Sequence, residues 1–158
     1  MHRCGPPGRE RDVQGDPGMA AEPATVPPGR RPLVLLAEDD APFRRLIASV
    51  LAEDGYEVLE AGDGLGLLAH IETTLGVRGE RADSFLVVAD VRMPGLSGLD
   101  VLAILRCANW RTPVILITAF GDEATHAEGR DLGAIAVFDK PFDVERLRAA
   151  VVDAMPPG

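Results

Sequence analysis

The chain has few of the residues that build disulfide frameworks, zinc sites or membrane spans. Its 158 residues include only two cysteines, Cys4 and Cys107, which form no CxxC pair and have no zinc-ligand spacing. A disulfide framework and a structural zinc site are therefore not expected, and both thiols are predicted to be reduced. Apolar runs such as 114–120 are far shorter than the roughly 18 residues that a membrane span needs. The N-terminus lacks the apolar core of a signal peptide, so we expect a cytoplasmic protein without membrane contact.

Positive charge is also scarce. The chain has 16 Lys and Arg against 25 Asp and Glu, a net charge of -9. No basic face is available for a phosphate backbone, so direct binding of nucleic acid is not expected. Of the two strongly basic residue types, lysine is much the rarer: the chain has 15 arginines and a single lysine, Lys140. A lysine at this one position suggests that the site needs the compact point charge of an ammonium group, which the planar guanidinium of arginine would not supply.

Residues 1–32 have almost no apolar periodicity and hold seven of the 13 prolines and five of the 17 glycines. Such a segment buries too little apolar surface to offset the entropy lost on ordering. We therefore predict a disordered leader over 1–32, and we hypothesise that translation begins at Met19 rather than at Met1. One domain is predicted over 33–155, followed by a short tail over 156–158.

From residue 33 onward, short apolar runs alternate with amphipathic segments. These patterns predict strands over 33–37, 57–61, 85–89, 114–118 and 136–138, and helices over 42–54, 64–74, 98–106, 123–132 and 144–155. The polar stretch 76–84 is predicted to be a surface loop. The alternation predicts an α/β fold, a five-stranded parallel sheet with helices on both faces in a three-layer sandwich.

Polar side chains follow several predicted strands at the edge where chemistry collects in such sheets. Glu38 and Asp39 follow the first strand, and Asp90 follows the third. Each signal alone is weak, because acidic residues often cap the next helix. Together, the carboxylates would repel one another without cations, and Mg²⁺ prefers such oxygen ligands. Lys140 and the Thr118 hydroxyl could then hold the oxygens of a phosphoryl group while Asp90 attacks phosphorus.

The stretch from residue 33 to about 155 resembles the receiver domain of two-component response regulators. The matching residues are Glu38-Asp39 in LVLLAEDDAPFRRLI, Asp90 in VVADVRMPGLSGLD, Thr118-Ala119 in VILITAF and Lys140-Pro141 in FDKPF. The resemblance implies a flavodoxin-like fold with strand order 2-1-3-4-5, an order shared by the chemotaxis receiver of this family. It also implies a cis bond before Pro141. Asp90 would accept a phosphoryl group from a sensor histidine kinase or a histidine phosphotransfer protein.

The same resemblance assigns roles to the other residues at this edge. Asp39 and Asp90 would bind Mg²⁺ directly, Glu38 would act through water, and Arg92 would contribute its backbone carbonyl. Catalytic contacts to the phosphoryl oxygens would come from Thr118 and Lys140.

The resemblance also implies a switch region made of Thr118, Ala119, Val137 and Pro141. Receivers usually carry an aromatic residue where this chain has Val137. Phe138 cannot replace it, because neighbouring strand residues point to opposite faces of the sheet. We therefore predict that Thr118 and the fourth helix move without an aromatic rotamer switch.

Three functions stay open at this stage. The favoured one is a stand-alone phosphoacceptor that catalyses only its own phosphorylation and dephosphorylation, since 156–158 leave no room for an output module. It would signal by docking to an unknown protein, with a homodimer through the fourth and fifth helices as a further option. The alternatives are a pseudo-receiver that accepts no phosphate and an aspartyl-nucleophile phosphatase. The phosphatase would need a DxD arrangement after the first strand, which 39–41 lack.

Overall fold

The computed structural model describes residues 30–77, 79, 81, 84–119 and 121–157. The strands are β1 (Leu33–Ala37), β2 (Glu57–Ala61), β3 (Phe85–Asp90), β4 (Val114–Thr118) and β5 (Ala136–Asp139). The helices are α1 (Ala41–Glu53), α2 (Gly64–Glu72), α3 (Gly98–Cys107), α4 (Glu123–Asp131) and α5 (Val144–Ala154). Every predicted strand and helix is present, and the ends differ from the predictions by at most two residues.

The five strands form one parallel sheet in the order β2-β1-β3-β4-β5, which confirms the predicted fold class and strand order. The order reverses at β1, which pairs with both β2 and β3. Ala37 at the end of β1 lies opposite Ala61 of β2 and Ala89 of β3. Residues that follow these strands therefore emerge at one edge, at the switch point where open α/β sheets bind ligands.

Successive residues of each strand pack into two different hydrophobic cores. Leu35 lies in the core under α2 and α3, whereas Leu36 lies in the core under α1 and α5. Because both faces are covered, the inner strands are buried along their whole length and read as continuous apolar runs in the sequence. Val137 packs against the first core and Phe138 against the second, as predicted from strand alternation.

Each of the five α-helices begins with a side chain that accepts a hydrogen bond from a free backbone amide of the first turn. The capping residues are Asp40, Asp63, Ser97, Asp122 and Asp143. Ser97 and Asp100 form a reciprocal capping box at the start of α3. A cap of this kind stabilises a helix by about 0.5–2 kcal/mol, and all five lie at the edge of the sheet that carries the polar side chains.

Two expectations differ from the structure. Residues Thr73–Val77 form a π-helical turn that continues α2, so the predicted loop over 76–84 is wrong for residues 76 and 77. Thr74 in this turn is buried, which shows that the segment packs on the protein. Cys107 is disulfide-bonded, so the prediction that its thiol is reduced is wrong, whereas Cys4 lies outside the described residues. Disulfide formation depends on the distance between the sulfur atoms in space, and the spacing of cysteines in the sequence does not give that distance.

The predicted leader lies largely outside the described residues and stays a prediction. Pro32, at its end, is buried, and its carbonyl accepts a hydrogen bond from the Glu57 amide at 2.9 Å. Within the described part of the chain, no helix has both the length and the apolar character needed to cross a bilayer.

Candidate functional site

Asp90 is the last residue of β3, and its side chain is almost fully buried, with 3% of its surface exposed. Each carboxylate oxygen has its own partner. Oδ2 lies 2.7 Å from Nζ of Lys140, and Oδ1 accepts a hydrogen bond from the Arg92 amide at 2.9 Å. A buried carboxylate with these donors is held in one orientation at the end of a central strand.

Glu38 directly follows β1 and is fully buried. Its Oε2 lies 2.8 Å from Nζ of Lys140, and its Oε1 accepts a hydrogen bond from the Asp40 amide at 3.1 Å. Burial, followed by the contact with Asp90, raises the pKa of Glu38 to about 7 in the metal-free protein, against the lowering effect of Lys140. Burial therefore makes ionisation of this carboxyl less favourable than it is in water.

One carboxylate oxygen from each of Glu38, Asp39 and Asp90 lies within 4.8 Å of the other two. Glu38 and Asp90 are buried, whereas Asp39 is exposed, so the cluster opens to solvent on one side. Hard oxygen donors at this separation fit Mg²⁺. The predicted acidic residues are thus brought together, and their donor set suits the predicted ion.

Lys140 follows β5 and reaches both buried carboxylates. Burial disfavours its charged form, but hydrogen bonds to Asp90 and Glu38 outweigh this, and the pKa of the ammonium is raised above its usual value. The ring of Phe43 on α1 faces the ammonium at 4.9 Å, a cation–π distance. Phe142 packs edge-on against Phe43 at 5.8 Å. The ammonium of Lys140 is therefore held by two carboxyl groups and one aromatic ring.

Arg44, like Phe43, supports the candidate site and was not predicted from the sequence. Its Nη1 donates to the backbone carbonyl of Glu38 at 2.8 Å, and its Nε donates to Glu60 of β2 at 3.2 Å. It therefore ties the loop after β1 to the neighbouring strand. No spacing marks Arg44 or Phe43 in the sequence, and an arginine or phenylalanine one turn into α1 gives no sign of which strand end it reaches.

The predicted switch residues lie on β4, β5 and the segments after them. Thr118 ends β4 and is buried, and its carbonyl accepts a hydrogen bond from the Lys140 amide at 2.8 Å. Ala119 follows and is exposed. Val137 is half-buried in β5, and the predicted cis bond between Lys140 and Pro141 is confirmed. Arg92 is exposed, and the contact that the structure assigns to its backbone is the amide donation to Asp90.

Comparison with known proteins places the chain in a family. The profile described as "Response regulator receiver domain" matches residues 34–152. The chain is 32% identical over 123 residues to sporulation initiation phosphotransferase F of Bacillus subtilis, covering 78% of this chain and 93% of that protein. It is 38% identical over 120 residues to the transcriptional regulatory protein PdtaR of Mycobacterium tuberculosis, covering 75% of this chain and 54% of that protein.

Solved structures agree with this match. The receiver domain of the Francisella response regulator 1452 superposes with a TM-score of 0.69 at 32% identity, covering 78% of this chain and 95% of that one. The Vibrio cholerae chemotaxis protein CheY4 superposes with a TM-score of 0.65 at 26% identity, covering 80% and 100%. From fold, site and these matches together, the chain belongs to the response regulator receiver domain family of two-component systems.

Proposed function

We propose that Asp90 accepts a phosphoryl group from a sensor histidine kinase or a histidine phosphotransfer protein. The reaction would use Mg²⁺ held by Glu38, Asp39, Asp90 and the backbone carbonyl of Arg92. The chain would act in the cytoplasm, would catalyse only its own phosphorylation and dephosphorylation, and would signal through altered docking to another protein.

One observation carries the proposal. Lys140, the only lysine, contacts both Asp90 and Glu38 at 2.7 and 2.8 Å, beside a cluster in which one oxygen from each of three carboxylates lies within 4.8 Å of the other two. A purely structural ion pair needs one carboxylate for one ammonium. The surplus of negative charge beside a single cation is what a site for a divalent ion and a phosphoryl group requires.

Each side chain has a chemical task in this reaction. An oxygen of Asp90 forms a bond to phosphorus while the bond between phosphorus and the donor's imidazole nitrogen breaks. The electron pair of that bond stays on the imidazole, which takes up a proton from solvent. Lys140 and the Thr118 hydroxyl would hold the phosphoryl oxygens as charge moves onto them. When bound, Mg²⁺ would supply the remaining positive charge that the transferring group needs.

The relatives support a receiver that works as a phosphoacceptor, and they differ in length. The chain covers nearly all of the Bacillus subtilis phosphotransferase but about half of the Mycobacterium tuberculosis regulator. We propose that the chain acts as a stand-alone receiver, which passes its signal or its phosphoryl group to a partner protein. A homodimer through α4 and α5 is the alternative assembly that solution measurements would have to show.

The test is incubation of the full chain with acetyl phosphate and Mg²⁺, followed by intact mass. The proposal predicts a single adduct of one phosphoryl group that is absent in Asp90→Asn. Asp153→Asn is the matched control, because Asp153 is an exposed aspartate on α5, away from the site. It should form the adduct like the unmodified chain.

Other outcomes would identify the two alternatives. Absence of any adduct, with Mg²⁺ bound, would indicate a pseudo-receiver. Continuous release of inorganic phosphate without a lasting adduct would indicate a phosphatase. An adduct that persists in Asp90→Asn would show that the acceptor is another residue.

A further inference from the structure

We propose that His126 and Asp139 form a positioning pair that holds Gly121, just before α4, and with it Thr118, in the unphosphorylated arrangement. This inference rests on the proposed function of Asp90 and concerns the regulation of the same site. It assigns to a polar pair the restraint that an aromatic side chain cannot provide in this chain, which has Val137 in β5 instead.

The pair joins α4 to β5 beside the candidate site. Nε2 of His126 lies 2.9 Å from Oδ1 and 3.0 Å from Oδ2 of Asp139. Asp139 directly precedes Lys140 and lies opposite Thr118 in the sheet register. The side chain of His126 is 22% exposed and that of Asp139 is 53% exposed. The contact is therefore at the surface, and it is weak enough to open without unfolding of the core.

The backbone of Gly121 lies between the His126–Asp139 pair and Thr118. A Cβ placed on Gly121 would lie 1.8 Å from Oδ1 of Asp139, 2.8 Å from Nε2 of His126 and 2.7 Å from Cγ2 of Thr118. The backbone at this position thus touches all three side chains at once. Displacement of Thr118 toward a phosphoryl group on Asp90 would move Gly121 with it and disturb the pair.

The C-terminal half of α4 is held by contacts with the sheet and with α3. Gly129 lies close to the sheet, since an added Cβ would be 3.1 Å from Leu116 and from Val137. The backbone of α4 therefore lies close to β4 and β5 at this residue. At the far end, Arg106 of α3 donates to the carbonyls of Leu132 and Gly133 at 2.8 and 3.2 Å. The C-terminal end of α4 is therefore anchored to α3.

These contacts define one motion. With the C-terminal end of α4 anchored by Arg106, the first turns of α4 and Gly121 would move when the hydrogen bond between His126 and Asp139 opens. In the unphosphorylated chain the pair opposes that motion, and phosphorylation of Asp90 favours it by drawing Thr118 inward. Removing the pair should therefore make the phosphorylated arrangement easier to reach, and phosphoryl transfer faster.

The experiment compares the full chain with His126→Leu, which keeps apolar volume but removes the donor. A second variant, Gly121→Ala, forces the pair apart but also presses on Thr118, so it is used for hydrogen exchange alone. Amide hydrogen exchange over 121–131 is measured for all chains, and the rate of phosphorylation by acetyl phosphate with Mg²⁺ is measured for the unmodified chain and the His126 variants. Both should rise about two- to fivefold, the range expected for a surface ion pair. His126→Gln, whose amide can still donate to Asp139, should restore values near those of the unmodified chain.

Gly76→Ala is the control for Gly121→Ala, because an added Cβ at Gly76 meets nothing within 4 Å. It should leave hydrogen exchange over 121–131 unchanged. Faster exchange with an unchanged phosphorylation rate would reduce the pair to a local structural contact and overturn the proposal. Unchanged exchange in His126→Leu would overturn it as well. If the unmodified chain forms no adduct at all, the proposed function has failed and this inference falls with it, an outcome distinct from the other two.

Discussion

Lys140 and Asp90 are 50 residues apart in the sequence, yet Nζ of one lies 2.7 Å from Oδ2 of the other at the carboxyl edge of the sheet. The side chain of Asp90 is 3% exposed and that of Lys140 is 23% exposed. This contact joins the end of the central strand to the segment after β5. It places the one ammonium of the chain against the carboxylate that we propose as the phosphoryl acceptor.

Removal of this ammonium should destabilise the metal-free protein. In Lys140→Ala the carboxylates of Glu38 and Asp90 face each other without a cation, and we expect a loss of about 1.5–3 kcal/mol in the free energy of unfolding, the range for hydrogen bonds to charged groups. Urea unfolding in the presence of a chelator measures it. Arg146→Ala removes an exposed cation from α5 and should change stability little. Equal stability of the two variants would argue against a buried, cation-dependent cluster.

Glu38 should make the stability of the metal-free protein depend on pH. Burial raises its pKa from 4.5 to about 7, so between these values the folded chain holds a proton that the unfolded chain has lost. Stability contributed by this group is present below the unfolded pKa and is lost as the pH rises through the folded one. We expect urea unfolding in a chelator to show a loss on the order of 2 kcal/mol between about pH 5 and about pH 8. Glu38→Gln should show a smaller loss, and an equal loss in both proteins would contradict the assignment.

The fold could be predicted from the sequence because its strands are buried on both faces. β1, β3 and β4 are apolar at nearly every position, and such runs between helical segments have few other interpretations. The opposite orientations of Val137 and Phe138 followed from strand geometry alone. Residues 76 and 77 of the π-helical turn were assigned to a loop, because a glycine followed by a polar stretch is also typical of a loop.

The candidate site could be predicted in part. Glu38, Asp39 and Asp90 each follow a strand, and a parallel sheet brings such positions to one edge. The contacts that orient them were not predictable in the same way. Arg44 reaches a backbone carbonyl, and the His126 contact with Asp139 depends on how closely α4 approaches β5. Both depend on tertiary packing rather than on residue spacing.

Tyr56 offers a measurement of burial away from the site. It is the only tyrosine, is 1% exposed, and donates its hydroxyl to the carbonyl of Met155 at 2.6 Å. Burial, with the charge of Asp54, raises its pKa from 10.0 to about 12. Absorbance of the phenolate should therefore show a midpoint near 12, and stability should fall as the pH rises from the unfolded value through the folded one. A midpoint at the ordinary value with the protein still folded would show that Tyr56 is not buried as described.

Gly64 should not tolerate a side chain. A Cβ there would lie 2.3 Å from the backbone oxygen of Leu96 and 2.6 Å from its Cβ, so the loop before α3 would have to move. Gly64→Ala should lower the free energy of unfolding by about 1–3 kcal/mol, as expected for overpacking. Gly76→Ala is the control, since the space around Gly76 is open. Similar thermal unfolding of the two variants would rule out the close contact between α2 and the loop after β3.

The most direct test of the account is to locate the phosphoryl group itself. After incubation with acetyl phosphate and Mg²⁺, borohydride reduces an aspartyl phosphate to homoserine, which peptide mass spectrometry assigns to a position in the chain. We predict homoserine at position 90 alone, and none when acetyl phosphate or Mg²⁺ is left out. Homoserine at a different residue would contradict the claim that Asp90 is the acceptor. So would the absence of homoserine at position 90 in protein that carries the phosphoryl adduct.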